Sequence, residues 1–270
     1  MKRPLLLLTN DDGIRSPGLQ ALAEAVSGLA DLLVVAPTNQ QTSMGRSLWG
    51  EKTECFQGID YAANGSAIRA YHMNSSPARL VLHALDVLCV DRKPDLIVSG
   101  VNYGENLGTN VTISATIGAV LQGASMGIPG LAVSLQTEIE NHHVHAELDW
   151  SAARYFTTKF TGMILENEFS EDLDIVNVNV PACATSDTEW KLTRQSRQPY
   201  FTNIVRNPSE DNPISDGECV FGYDESKVEP DSDIHALVND SAVSVTPLSI
   251  DLTAYRDLID MKAMYEQELQ

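Results

Sequence analysis

The chain has 270 residues, 43% of them hydrophobic, enough to bury the core of one large domain or of one domain with an extension. With 37 acidic and 18 basic residues its formal charge is −19, which excludes a non-specific grip on DNA, RNA or an anionic membrane, since each of these needs a basic surface. No apolar run approaches the roughly 20 residues that span a bilayer, and the 4 cysteines form no Cys-x-x-Cys pair, so a soluble, cytoplasmic protein with reduced structural thiols is expected.

Leu5 to Leu8, four leucines ended by Thr9-Asn10-Asp11-Asp12-Gly13, read as a strand buried on both faces that stops at a tight turn. Adjacent carboxylates repel, and on an extended chain they point to opposite faces. Asp11 and Asp12 therefore serve one site only if the backbone turns, as Gly13 permits. A hard divalent cation relieves the repulsion. An ordinary solvated turn is the competing reading. Position decides between them, because ligands of open α/β sheets bind outside the carboxyl ends of the strands.

Ser16-Pro17 opens a helix carrying Leu19, Leu22, Ala23 and Val26, and Asp31 to Ala36 is a second buried strand, completing a βαβ unit. The polar loop Thr38 to Ser47 follows. Thr42 or Ser43 offers a neutral oxygen to a metal and Arg46 a cation to a phosphate, although such loops are more often plain surface. Short strands such as Ala67 to Met73 precede a helix opened by Ser76-Pro77, with His72 and His83 expected to be packed.

Pro94 to Val98 is the next core strand and runs into Ser99 to Gly108, where Asn102 and Asn106 each offer a carbonyl oxygen to a metal or an amide donor to a phosphate. Ser114-Ala115-Thr116 begins a helix whose free N–H groups and positive dipole end suit a phosphate, with Ser114 also a natural N-cap. Pro129 to Leu135 is a fourth apolar strand. The segment Thr137 to Glu147, with His142-His143-Val144-His145, reads as a solvated loop because no complementary ligand set lies nearby in sequence.

A helix from Asp149 to Leu165 and a strand from Asp174 to Val180 close an α/β part over residues 1–181. Residues 182–270 have another texture. Glu189 to Thr193 and Tyr200 to Val205 suggest hairpins that project or pair with another subunit, Ala242 to Pro247 alternates like a strand, and Asp251 to Gln267 reads as a terminal helix. The fold class expected is α/β: a Rossmann-like three-layer core with a mostly parallel sheet, plus a C-terminal hairpin and helix extension. Dinucleotide binding is not expected, since the first turn lacks Gly-x-Gly-x-x-Gly.

Thr9 to Gly13, the strand end Val35-Ala36-Pro37 with its hydroxyl loop, and Ser99-Gly100-Val101-Asn102 followed by Gly104, Asn106 and Gly108 resemble the signature of the SurE (survival protein) nucleotidases. Asp233-x-x-Ala-Leu and Val243 to Leu248 are similar to that family's C-terminal signature, so the resemblance covers essentially the whole chain. It implies one divalent cation per subunit, Mg²⁺ or Mn²⁺, held by Asp11, Asp12, Thr42 and Asn102. It implies hydrolysis of nucleoside 5′- and 3′-monophosphates, in some members also polyphosphate, and homodimers or homotetramers joined through exchanged C-terminal segments.

On this reading Asp11 and Asp12 are catalytic, while Asn10, Asn106, Ser114 and Thr116 are expected to contact the small phosphorylated substrate. The cation would polarise a phosphoryl oxygen and acidify a water that attacks phosphorus in line. This chain departs from the family at Thr42 (usually serine), at Ser75-Ser76-Pro77 (usually Gly-Thr-Pro), at Ala115 (usually glycine) and at Asn110 (usually aspartate). None removes a charged ligand, but together they bear on substrate preference. Two other classes share parts of the pattern. A phosphoacceptor signalling module needs a further aspartate where this chain has Ser99 to Asn102, and a metal-dependent nucleoside hydrolase would release free base.

Overall fold

The computed structural model describes residues 3–139, 142, 147–167, 173–255, 257 and 261. The chain runs β1 (Leu5–Thr9), α1 (Pro17–Val26), β2 (Asp31–Pro37), β3 (Gln57–Gly58), β4 (Ala62–Ala63), β5 (Ser66–Ala67), β6 (Arg69–Met73), α2 (Pro77–Val87) and β7 (Leu96–Tyr103). It continues with α3 (Ala115–Ala124), β8 (Gly130–Leu135), α4 (Ser151–Glu166), β9 (Ile175–Val180), β10 (Trp190–Leu192), β11 (Phe201–Val205), β12 (Gly217–Phe221), α5 (Asp233–Val238) and β13 (Val243–Leu248).

The four leucines behave as a strand covered on both sides. Leu6 and Leu8 enter a core with Leu19, Leu22 and Val26 of α1 and Phe156 and Phe160 of α4, while Leu7 enters the opposite core with Val81 and Ala84 of α2 and Ile117 and Val120 of α3. Alternation along β1 thus generates the three layers. One sheet of 9 strands has the order β10-β13-β9-β8-β7-β1-β2-β6-β3. From β6 through β2, β1, β7 and β8 to β9 every neighbour is parallel.

After β1 the chain steps outward through β2 to β6 and then returns to place β7 on the other side of β1. Strand order therefore reverses between β1 and β7, and the crevice at their carboxyl ends is the topological switch point where such sheets bind ligands.

The C-terminal part does two things. β13 pairs antiparallel with β9, and β10 lies parallel to β13. Glu189 to Thr193 was expected in a hairpin; instead Trp190 packs edge-on against Phe160 of α4, with ring centroids 5.5 Å apart, and draws the segment onto the main sheet. The expected hairpin at Tyr200 to Val205 does form, as β11 paired with β12. Of the terminal helix expected from Asp251 to Gln267, residues 251–254 are not helical, Tyr255, Asp257 and Met261 are, and the remainder lies outside the described residues. His72 and His83 are packed, against Thr38 Oγ1 at 2.9 Å and the ring of Phe56 at 5.2 Å. No helix of the described residues is long and apolar enough to cross a membrane.

Candidate active site

At the end of β1 the Asn10 side chain closes the turn: its amide donates to the Gly13 carbonyl and its oxygen accepts the Gly13 N–H, both at 3.2 Å. Asn10 is fully buried and does not line the cleft, so the residue expected to touch substrate instead shapes the turn that presents Asp11 and Asp12. Both aspartates line a cleft of about 440 Å³ and are only 4% exposed.

Asn102 comes from β7. Between Ser99 and Asn102 the pairing with β8 slips, Ser99 facing Ala132 and Asn102 facing Ser134, so one extra residue is accommodated as a bulge. Gly100 makes this possible, with φ +134°, and a Cβ there would lie 2.2 Å from the Val133 carbonyl oxygen. The Asn102 amide donates to the carbonyls of Tyr103 (3.2 Å) and Gly104 (2.7 Å), which leaves its oxygen to face the aspartates. There the Thr116 hydroxyl bridges Asp11 Oδ1 and Asn102 Oδ1, the latter at 3.0 Å. Thr116, expected as a substrate contact, is fully buried and works on the carboxylate.

The loop after β2 is laid against the start of α3, where the Gly45 N–H donates to the Ile113 carbonyl at 2.9 Å. This brings the exposed Thr42 and Ser43 onto the cleft beside Ser114, whose hydroxyl caps α3 by accepting the Ile117 N–H at 3.2 Å. Asn106 also lines the cleft, its amide bonded to Ser134 Oγ at 2.9 Å and its carbonyl to the amides of Asn177 and Asn179. Arg46 does not line it; its guanidinium donates to Gln122 Oε1 at 3.0 Å. Asp233 of the C-terminal signature is buried and accepts the N–H groups of Gly108 and Ser196, both at 2.9 Å, tying α5 to the loop after β7.

Several residues that line the cleft or hold its aspartates lie outside the expected set. Gln40 donates to Asp12 Oδ1 at 3.0 Å and to the His142 carbonyl at 2.7 Å. His142, read as part of a solvated loop, therefore lines the cleft, and its ring meets Phe201 edge-on at 5.4 Å. His143, Val144 and His145 lie outside the described residues. Phe201, Thr202, Asn203 and Cys219 of the β11–β12 hairpin also line the cleft. Glu105 is 4% exposed; burial pushes its carboxyl up to about 7 although the Tyr200 hydroxyl is hydrogen-bonded to it.

Electrostatics give the site its character. Burial pushes Asp11 up to about 6, opposed by the Thr116 hydroxyl, and pushes Asp12 well above the carboxylate range, with the charge of Asp11 adding to it. Among the described residues neither carboxylate has a Lys or Arg partner. No cluster of three His, Cys, Asp or Glu side chains is found among them either, and beside the two aspartates the cleft offers neutral amide and hydroxyl oxygens as further donors. An all-oxygen set with two buried negative charges fits a hard divalent cation rather than zinc.

This has a measurable consequence. Because the folded pKa of Asp11 is raised from 3.8 to about 6, the folded protein holds more protons than the unfolded chain between those values, and metal-free stability falls as pH rises through that window. A cation that binds the ionised pair gains in effect over the same range. At about 100 times its dissociation constant Mg²⁺ or Mn²⁺ is expected to stabilise the protein by about 2.7 kcal/mol at pH 7.5, and much less at pH 5. Thermal unfolding with each metal and with chelator reads this directly; equal increments at both pH values would exclude the pair as the binding site.

A family model described as "Survival protein SurE" matches residues 6–202. A protein named 5′-nucleotidase SurE from Methanocella arvoryzae is 36% identical over 266 residues, covering 95% of this chain and 96% of that protein. Another of the same name from Thermococcus gammatolerans is 36% identical over 268 residues, covering 98% and 97%. Among solved structures, the SurE protein from Aquifex aeolicus superposes with a TM-score of 0.75 at 28% identity, covering 97% of this chain and all of that one.

Proposed function

The chain belongs to the survival protein SurE family, and from that membership and the architecture of its cleft we propose that it is a metal-dependent 5′-nucleotidase, hydrolysing nucleoside monophosphates to nucleoside and phosphate. The observation that carries this reading is the buried pair Asp11 and Asp12, without a cationic side chain beside it among the described residues, at the switch point of a parallel sheet and next to a capped helix N-terminus.

Asp11, Asp12, the Asn102 oxygen and the hydroxyl of Thr42 or Ser43 are the groups that would hold the cation, one per subunit, with Mg²⁺ and Mn²⁺ the metals of matching hardness. Such a cation supplies neutralisation of phosphoryl charge and acidification of a water molecule. Thr116 fixes the Asp11 carboxylate by its hydroxyl, and Gln40 and the Tyr103 N–H hold the two oxygens of Asp12. The first turn of α3 presents backbone N–H groups and its positive dipole end to a phosphate, and Asn106 and Ser114 stand on the same wall as further phosphate contacts.

We extend the proposal to 3′-nucleotides and polyphosphate as further substrates. Homo-oligomers are supported by exposed apolar side chains on the hairpin and C-terminal segment: Ile204, Val205, Phe221, Leu252 and Tyr255. Exposed free thiols at Cys55, Cys183 and Cys219 support a reducing, cytoplasmic setting. Phosphate release from a panel of 5′- and 3′-mononucleotides with Mg²⁺, with Mn²⁺ and with chelator tests the function. Metal-dependent release is the expected result; free base in place of phosphate, or a stable phosphoprotein without turnover, would overturn it.

A further inference from the structure

The carboxylates and α3 account for one end of the cleft, while the hairpin wall at the other end has as yet no task. We propose that Phe201 is the stacking platform for the nucleobase of the substrate, and that Asn110 is the residue that positions it. The inference rests on the nucleotidase reading and assigns that site its nucleoside subsite.

The platform is anchored from its backbone. The Asn110 side-chain oxygen accepts the N–H groups of Tyr200 (2.7 Å) and Phe201 (2.9 Å), and its amide donates to the Phe201 carbonyl at 3.1 Å. A side-chain amide matches both the donors and the acceptor of a peptide segment. A carboxylate at this position would keep the first two contacts and lose the third.

The ring itself is held in an aromatic cluster. Phe201 stacks on Phe221 at 5.5 Å with planes 24° apart and lies in T-shaped contact with Tyr200 and His142 at 4.7 and 5.4 Å. Tyr200 is fixed in turn by stacking on Tyr223 at 5.4 Å and by its hydrogen bond to Glu105. A ring immobilised before the ligand arrives loses little freedom on binding, which favours affinity.

The chemistry of the wall selects the ligand. Around Phe201 the hairpin offers only neutral groups, Thr202, Asn203 and Cys219, whereas the opposite end is built for a phosphate and its cation. A cleft of about 440 Å³ with one aromatic and one anion-binding end fits a molecule with a flat ring and a phosphoryl group at opposite ends. Since every base has a π-face, stacking without a charged reader predicts tolerance among bases rather than a single preferred one.

The test compares phosphate release, with Mn²⁺, from AMP and from ribose 5-phosphate, which has the same phosphoryl end without a base. Phe201→Ala is expected to raise KM for AMP about 5- to 100-fold, with kcat nearly unchanged and ribose 5-phosphate hydrolysis unaffected. Phe201→Trp should retain wild-type KM. Asn110→Ala should raise KM for AMP alone, and Asn110→Asp should fall between it and wild type. Equal losses on both substrates, or an unchanged KM for AMP, would overturn the platform while leaving hydrolysis intact. Release from neither substrate by the wild-type protein would instead overturn the nucleotidase reading. Calorimetry with adenosine then decides the platform by itself: binding weakened in Phe201→Ala upholds it, and equal or absent binding overturns it.

Discussion

Asp11→Asn is expected to lower turnover by about 10³-fold or more while making the metal-free protein more stable. The first effect follows if, as proposed, Asp11 supplies one of the two aspartate charges for the cation; several kcal/mol of phosphoryl charge stabilisation would disappear with it, at about 1.4 kcal/mol per tenfold. The second follows from burial. At pH 7 the wild-type protein keeps two adjacent carboxylates 4% exposed and raised in pKa chiefly by desolvation, a cost that the solvated unfolded chain does not carry. Raising Asp11 from 3.8 to about 6 corresponds to a cost on the order of 3 kcal/mol at neutral pH. Asparagine is nearly isosteric and still accepts the Thr116 hydroxyl, so the melting temperature without metal should rise by several degrees. Activity assays and thermal unfolding in chelator check both halves. Near-normal turnover would remove Asp11 from the metal set, and a lowered melting temperature would mean that the pair is not a source of strain.

Gly118→Ala is expected to cost about 10² in kcat/KM although it adds a single methyl group. A Cβ at Gly118 would lie 2.1 Å from the Gly45 carbonyl oxygen and 2.8 Å from the Arg46 nitrogen. All of these are backbone atoms, so the loop carrying Thr42 and Ser43 must move as a unit. Displacing a positioning loop by about 1 Å can reduce rate 10²-fold. Alanine gains about 1 kcal/mol of helix propensity over glycine, while forcing the two segments apart costs about 1–3 kcal/mol, so stability should fall modestly. Gly28→Ala is the control, since nothing lies within 4 Å of a Cβ there, and it should be neutral or slightly stabilising. Unchanged kcat/KM in Gly118→Ala would show that the second loop does not contribute to the site.

The core of the fold was readable residue by residue. Leu5 to Leu8, Asp31 to Ala36, Pro94 to Val98 and Pro129 to Leu135 are apolar runs of strand length, and each became a parallel strand with bounds shifted by a few residues. Periodicity is a local property of the chain, and burial on both faces leaves a local trace. The positions of Asp11, Asp12, Asn102, Asn106 and Ser114 at strand ends and at a helix start were legible for the same reason, and the cleft brings them together.

Roles that depend on partners far along the chain were not legible. Asn10 and Thr116 were expected at the substrate, yet one closes the turn and the other bridges Asp11 to Asn102. Arg46, expected to offer a cation to a phosphate, pairs with Gln122. His142 and Phe201 carry no sequence mark that separates them from loop and hairpin residues, and they meet only because Gln40 and Asn110 reach across 102 and 91 positions of sequence.

By itself, then, the sequence determined which segments are strands and helices and which strand ends carry oxygen ligands, because residue type and spacing act over a few residues. Tertiary structure alone decided which of those ends share a cleft, which polar side chains hold others in place, and what walls the site opposite the carboxylates. The physical reason is that these outcomes are set by the crossover that places β7 beside β1 and by the return of the C-terminal hairpin onto Asn110 between β7 and α3, contacts between segments that leave no periodic signal in either.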